Sequence, residues 1–178
     1  DVYWVKPKEV AFYIQDKMEF DDMVINIGAR YDQFDPESVY PSDRRNPANQ
    51  LILPDSMTSK YPQAPTIEQI SPRLGFAYQL GNQAVLHFSY GHFFQMPPMY
   101  AMYQNHSFLV DPNDYVTRMG NTLLEPEKTI TYEIGLWQEL SRQASLEVAL
   151  FYRDIYNLLT TKTISTYNQV KYGLYSNK

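Results

Sequence analysis

Apolar side chains recur at every second position in six places along the chain, where a period of two fits better than the 3.6 of a helix. In MVINIGARYDQF, Ile25, Ile27, Ala29 and Tyr31 alternate with Asn26, Gly28, Arg30 and Asp32. One face therefore carries three strongly polar side chains and a glycine, and the other carries four apolar or aromatic ones. EVAFYIQDKM alternates Val10, Phe12 and Ile14 with Ala11, Tyr13, Gln15 and Lys17. SPRLGFAYQL sets Leu74, Phe76, Tyr78 and Leu80 against Arg73, Gly75, Ala77 and Gln79, and AVLHFSYGHFF sets Leu86, Phe88 and Tyr90 against His87, Ser89 and Gly91. TITYEIGLWQ sets Ile130, Tyr132, Ile134 and Leu136 against Thr131, Glu133 and Gly135, while ASLEVALFYRD sets Leu146, Val148, Leu150 and Tyr152 against Ser145, Glu147, Ala149 and Arg153. All six predict strands of roughly 9 to 12 residues, the length with which a tilted strand crosses a bilayer.

The connections alternate too. Short polar turns are expected at EFDD, LGNQ and LSRQ, giving hairpins at about 8–34, 70–94 and 129–159. Long segments at about 35–69 and 95–128, rich in Pro, Asn, Asp, Ser and Tyr, separate them. Loops of that length are uncommon in a compact soluble domain, whereas an outer-membrane barrel joins short turns on one side with long loops on the other. The pattern therefore predicts an all-β fold, an antiparallel transmembrane β-barrel segment of about 6–8 strands. Beyond Leu158 the alternation weakens; an extension of the sixth strand, a turn near Tyr167 to Gln169 and a seventh strand are expected there.

Composition fits strands that face two environments: 16 Tyr, 9 Phe and 2 Trp accompany a mean hydropathy of -0.46. No Asp, Glu, Lys or Arg occurs between Arg73 and Asp111, but Gln79, Asn82, Gln83, His87, His92, Pro97 and Pro98 interrupt that stretch and exclude a transmembrane helix. Aromatics near strand ends (Tyr31, Phe34, Tyr90, Phe93, Phe94, Tyr152 and Tyr156) suggest a girdle at the outer membrane interface. A net charge of -5 without a basic run argues against nucleic acid, and the absence of cysteine excludes disulfides and thiolate metal sites. The start, DVYWVKPKEV, has neither an initiator Met nor a signal-like segment, as expected after processing or for an internal piece.

No catalytic set, metal site or cofactor is expected. His87 and His92 lie five apart, which on a strand turns them to opposite faces. The polar residues of the inner face, Arg30, Asp32, Arg73, His87, Glu133, Glu147 and Arg153, have the composition of ion pairs in a wet lumen, between strands or to material inside it. Phosphate-loop, nucleophile-elbow, zinc-helix and calcium-loop patterns are missing, and Asn105-His106-Ser107 matches a glycosylation sequon by chance. The candidate binding segment is FFQMPPMYAMYQNHSF. There Pro97-Pro98 stiffens the chain, and Met96, Met99, Tyr100, Met102 and Tyr103 offer soft contact surface for a partly apolar ligand or a surface protein partner, with packing among the loops as the alternative. Arg44 and Arg45, near Tyr40 and Tyr61, form a second candidate set.

Four stretches together resemble the TonB-dependent outer-membrane receptors. LEPEKTITYEIGL resembles that family's L-x-P-E … Y-E-x-G strand, SPRLGFAYQL its SPR-x-G-x-x-Y strand, and LEVALFYRDIYNLL its FY-x-D-I strand. AFYIQDKMEFDDMVINIGARYD is similar to the family's Y-x-Q-D-x-W … G-x-R-Y-D hairpin, with Met18 where an aromatic is usual. The matches keep the family's order. The resemblance implies that the segment belongs to a larger barrel, of 22 strands around a plug, with residues 1–178 as one partial barrel domain. It also implies a place in the bacterial outer membrane, contact with its lipid, and import of a siderophore, cobalamin, glycan or peptide energised by the TonB complex, without bond chemistry. Nothing in the chain resembles the plug or the segment that TonB grips, and YGLYSNK lacks the terminal aromatic of a last strand. Other readings stay open: a non-transporting structural or interaction subunit of an outer-membrane assembly, a small closed barrel, and a soluble β-sandwich.

Overall fold

The computed structural model describes residues 4–54, 56–110 and 117–178. The elements are β1 (Lys8–Glu19), β2 (Met23–Asp35), β3 (Ile67–Leu80), β4 (Ala84–Gln95), a short helix α1 (Met99–Tyr103), β5 (Arg118–Met119), β6 (Glu127–Ser141), β7 (Ala144–Tyr156), β8 (Leu159–Ser165) and β9 (Lys171–Asn177). Six of them form one antiparallel sheet in the order β1-β2-β3-β4-β6-β7, and β5, β9 and β8 form a second, smaller sheet. Within the described residues the large sheet does not close: β1 and β7 are its two edges.

Register follows the alternation. Ile27 lies opposite Leu74, Leu86 opposite Leu136 and Ile134 opposite Leu150, so the apolar positions of neighbouring strands share a face. On the other face Gly28 meets Arg73, Ser89 meets Glu133 and Thr131 meets Arg153. That polar face is concave and borders a cavity of about 840 Å³ lined from five strands of the wall as well as β7. Among the described residues nothing covers the apolar face: on central strands Ile27 is 48% exposed and Leu74 37%. A soluble sandwich would bury such residues, whereas a membrane wall turns them to lipid.

The three short turns close the hairpins at one end of the sheet. At the first, Phe20 and Met23 exchange backbone hydrogen bonds of 2.8 and 3.3 Å. At the second, Gly81 has φ +64°, a conformation that a side chain resists, which explains a glycine there. At the third the register slips between Glu139 and Ser141.

The opposite end carries a cap made of the long connections and the β8–β9 hairpin. Here lie the buried hydrophobic residues. One cluster joins Phe34, Ala101, Met102, Tyr103, Leu124 and Tyr175, and a second joins Phe108, Met119, Tyr172 and Leu174. The weak alternation beyond Leu158 resolves as β8, a turn closed by Thr166 N–H donating to the Val170 carbonyl at 2.9 Å, and β9. This hairpin belongs to the cap sheet and pairs with β5, not with the wall. Part of the second long connection, residues 111–116, lies outside the described residues.

Candidate functional site

Every inner-face residue named from the sequence falls, by strand register, on the concave side, but the ionic pairing is sparser than expected. Arg30 binds Asp32 two residues along the same strand, Nε to the two carboxylate oxygens at 2.8 and 3.0 Å, and Asp32 is buried. His87 Nε2 lies 3.6 Å from Glu133 Oε1 on the neighbouring strand. Among the described residues Arg73, Arg153 and Glu147 have no ion-pair partner within 4.0 Å. The two arginines lie instead over aromatic rings, Arg73 5.1 Å from the Phe93 centroid and Arg153 5.9 Å from that of Phe151.

Glycines shape this face. Gly28, Gly75, Gly91 and Gly135 all sit on the concave side of strands, where a missing side chain leaves room for a neighbour's. His87 lies across Gly135 so closely that a Cβ there would come within 2.1 Å of the imidazole. Phe93 and Arg73 lie over Gly91 in the same manner, at 3.2 and 3.7 Å from the position of a Cβ. His87, Phe93 and Arg73 thereby lie close against the wall of the concave face, beside the cavity.

Two members of the expected aromatic girdle are placed elsewhere. Phe93 shares the parity of His87, Ser89 and Gly91 and points inward beneath Arg73, while Phe34 is 2% exposed within the cap. The outward aromatics form a ladder instead: Tyr90, Tyr132 and Tyr152 follow one another across β4, β6 and β7 with centroids 5.0 and 6.3 Å apart. Tyr90 Oη lies 2.6 Å from His92 Nε2 on the same outward face, so His92 and His87 are on opposite sides of the sheet. No group of three metal-binding side chains exists among the described residues.

The candidate binding segment divides by burial. Met102 and Tyr103 are 1% exposed, and Tyr103 donates from its hydroxyl to the Pro36 carbonyl at 3.0 Å, so these two hold the cap together. Met96 packs against the same cluster from its edge. Met99 and Tyr100, 42% and 52% exposed, lie at the surface of the cap. Both loop arginines work inside the cap. Arg44 Nη2 donates to Asn121 Oδ1 at 2.7 Å; burial pushes its pKa downward. Arg45 Nε donates to the Ser165 carbonyl at 3.1 Å and its guanidinium lies 4.8 Å from the Tyr167 ring centroid.

Sequence reasoning missed Asn121, Gly120 and Tyr172. Asn121, 8% exposed, accepts from Arg44 and from Leu123 N–H and donates to the Tyr175 carbonyl at 2.9 Å, so one amide ties three segments. Gly120 lies against the end of α1 with room for no Cβ, and its N–H donates to the Gln104 carbonyl at 2.7 Å. Tyr172 donates to the Arg44 carbonyl at 2.6 Å, and burial pushes its phenol up to about 12. None stands in a periodic stretch, so no pattern marks them.

Comparison with known proteins agrees with this geometry. Residues 3–177 match the family described as TonB dependent receptor-like, beta-barrel. No curated protein sequence matches the chain. Solved structures similar in fold include a double mutant of the Serratia marcescens hemophore receptor HasR in complex with its hemophore HasA and heme, at 16% identity and TM-score 0.64, with 97% of this chain and 30% of that chain covered. The FrpB iron transporter from Neisseria meningitidis follows at 15% identity and TM-score 0.60, covering 98% and 22% of the two chains. The Pseudomonas aeruginosa ferric enterobactin receptor PfeA is similar at 11% identity and TM-score 0.53, covering 97% and 31%. The chain thus spans about a third or less of the length of these receptors. It belongs to the TonB dependent receptor-like β-barrel family, whose place is the bacterial outer membrane and whose members are receptors and transporters, not enzymes.

Proposed function

From that membership we propose that the chain supplies part of the barrel wall and outer cap of a receptor that captures a scarce nutrient and imports it with energy from the TonB complex. The observation that carries this reading is the wall itself: apolar residues outward, a glycine-smoothed polar face inward along a cavity of about 840 Å³, and a packed cap at one end only. Such a wall encloses a polar passage in lipid. Of the candidate contact residues Met96, Met99, Tyr100, Met102 and Tyr103, Met99 and Tyr100 are the exposed ones, and a metal chelate suits their soft, amphipathic surface. Lipid, the remaining barrel, a plug and the TonB complex are the partners this reading requires.

The test is a deletion strain complemented with the gene at its native length, grown under metal starvation with single ferric, haem and copper chelates as metal source. Uptake of one chelate restored by the gene, and abolished when TonB is removed or the proton gradient is collapsed, is the expected result. Growth independent of the gene on every source tested, including cobalamin, glycans and peptides, would sink the transport reading in favour of a structural subunit.

A further inference from the structure

Where the large cavity meets a smaller one of about 390 Å³ beneath the cap, the two share Arg30 and Arg73. The smaller cavity is also lined by Ser71, Gln95, Glu9 and Asp32. Arg30 lies directly opposite Ser71 in the strand register, and Arg73 is the next residue of β3 on the same face. These three side chains converge on one spot of the wall.

Their hydrogen-bonding capacity is unequally used. Arg30 is occupied by Asp32. Arg73 is exposed, has its guanidinium carbon over the Phe93 ring 5.1 Å from the centroid, and has no carboxylate within 4.0 Å among the described residues. A ring is no substitute for a carboxylate, so the N–H groups of Arg73 remain available to a bidentate acceptor. Ser71 is 2% exposed, yet its hydroxyl has no hydrogen-bond partner. A buried hydroxyl without a partner is uncommon and costly, and a serine changes between staggered rotamers readily. Neither acid at the rim pairs with Arg73: Asp32 is held by Arg30, and Glu9 on the edge strand β1, within Coulombic reach of Arg30, has no ion pair within 4.0 Å among the described residues. Gly91 completes the arrangement by leaving the space in which Arg73 and Phe93 lie.

We infer that Arg73 and Ser71, beside the Arg30–Asp32 pair, form an oxyanion seat on the inner wall, which takes a carboxylate group by a bidentate contact to Arg73 and a hydrogen bond from Ser71. The carboxylate belongs either to a small acidic molecule passing through the lumen or to a side chain of the protein segment that fills it. This rests on the proposed function only in treating the concave face as a lumen.

The experiment uses the protein at its native length in detergent, with the folding of each variant checked by heat-modifiable electrophoretic mobility. Citrate is the probe, titrated calorimetrically. If small acids use the seat, wild type binds citrate saturably. Arg73→Gln then weakens binding about tenfold or more, Ser71→Ala does so several-fold, Arg73→Lys recovers part of the loss, and Lys162→Gln in the outer sheet leaves it unchanged. If a lumen segment occupies the seat, wild type ignores citrate, and Arg73→Gln makes that segment protease-sensitive while barrel mobility is kept. Citrate affinity and proteolysis that are the same in wild type, Arg73→Gln and Ser71→Ala would overturn the seat. Loss of TonB-dependent uptake from the proposal above would not, because citrate binding is measured without transport.

Discussion

The wall and the cap use the same residue types in opposite ways. In the wall, leucine, isoleucine and tyrosine point outward, and none of the buried hydrophobic residues lies on that face. The wall is held by its backbone ladders and leaves its apolar surface to the surroundings. In the cap, Met102, Tyr103 and Leu124 are enclosed in one cluster and Leu174 in the other, and polar side chains such as Asn121 join the segments. Cap stability is internal, from burial and satisfied hydrogen bonds. Wall stability depends on lipid, where unpaired backbone groups and charged side chains are both expensive. One chain thus has two regions whose stabilities answer to different solvents.

The largest effect expected from that division is a charge on the outward face. Leu74→Arg, on the central strand β3, should cost about 2–4 kcal/mol of folding free energy in vesicles if it lies near the bilayer midplane. Ala77→Arg, three residues on and facing the lumen, should cost far less. Urea titration of both variants folded into phosphatidylcholine vesicles measures the difference. Equal losses would break the comparison, because they would mean that the two faces meet the same medium.

Glycine substitutions should sharpen the contrast at smaller magnitude. Gly120→Ala places a methyl 2.6 Å from the Met102 carbonyl oxygen, in a backbone that packs against α1, so the cap must shift at a cost of about 1–3 kcal/mol. Gly135→Ala meets only the His87 ring, which can rotate away. Hydrogen exchange should therefore show lost protection around 99–124 in the first variant, with the wall unchanged. The second should keep its protection and alter only the His87 environment. Protection lost in the wall of Gly120→Ala would show that cap and wall unfold as one unit.

The wall was legible in the sequence because strand side chains alternate strictly, so Arg30, Arg73, Glu133 and Arg153 could be assigned to one face from parity alone. The same parity placed Phe93 inward; proximity to a strand end suggested a girdle, and the lumen arginine that covers the ring could not be inferred from one strand. The pairing of Arg30 with its own neighbour Asp32, leaving Arg73 with only a ring, depends on rotamers that alternation does not specify. The cap was legible only as long loops. Its contacts, such as Tyr172 to Arg44 and Asn177 to the backbone of Glu125, join residues far apart in the chain through side chains with no period. Arg44 looked like a ligand contact for the same reason: a cation in a loop is usually at the surface, and only the fold brings Asn121 beside it.

The smallest expected effect separates the regions by pH. Tyr172 is protonated and neutral in the folded cap, and burial raises its pKa to about 12 from an ordinary value near 10. A group whose folded pKa is raised contributes its full stability below the unfolded value and loses it as pH climbs through the folded one. The cap should therefore be indifferent to pH up to about 10 and loosen progressively toward 12, where a phenolate would have to stay buried beside the Arg44 carbonyl that its hydroxyl now binds. Cleavage by an alkali-tolerant protease in the 35–66 loop, followed from pH 9 to 12, should rise in that window while the barrel keeps its electrophoretic mobility. Tyr172→Phe removes the titrating group together with one hydrogen bond, so its cap should be slightly more sensitive at pH 9 and show a flatter rise above pH 10. A rise equally steep in the phenylalanine variant would assign the alkaline loosening to other groups and remove Tyr172 as the cap's titrating contact.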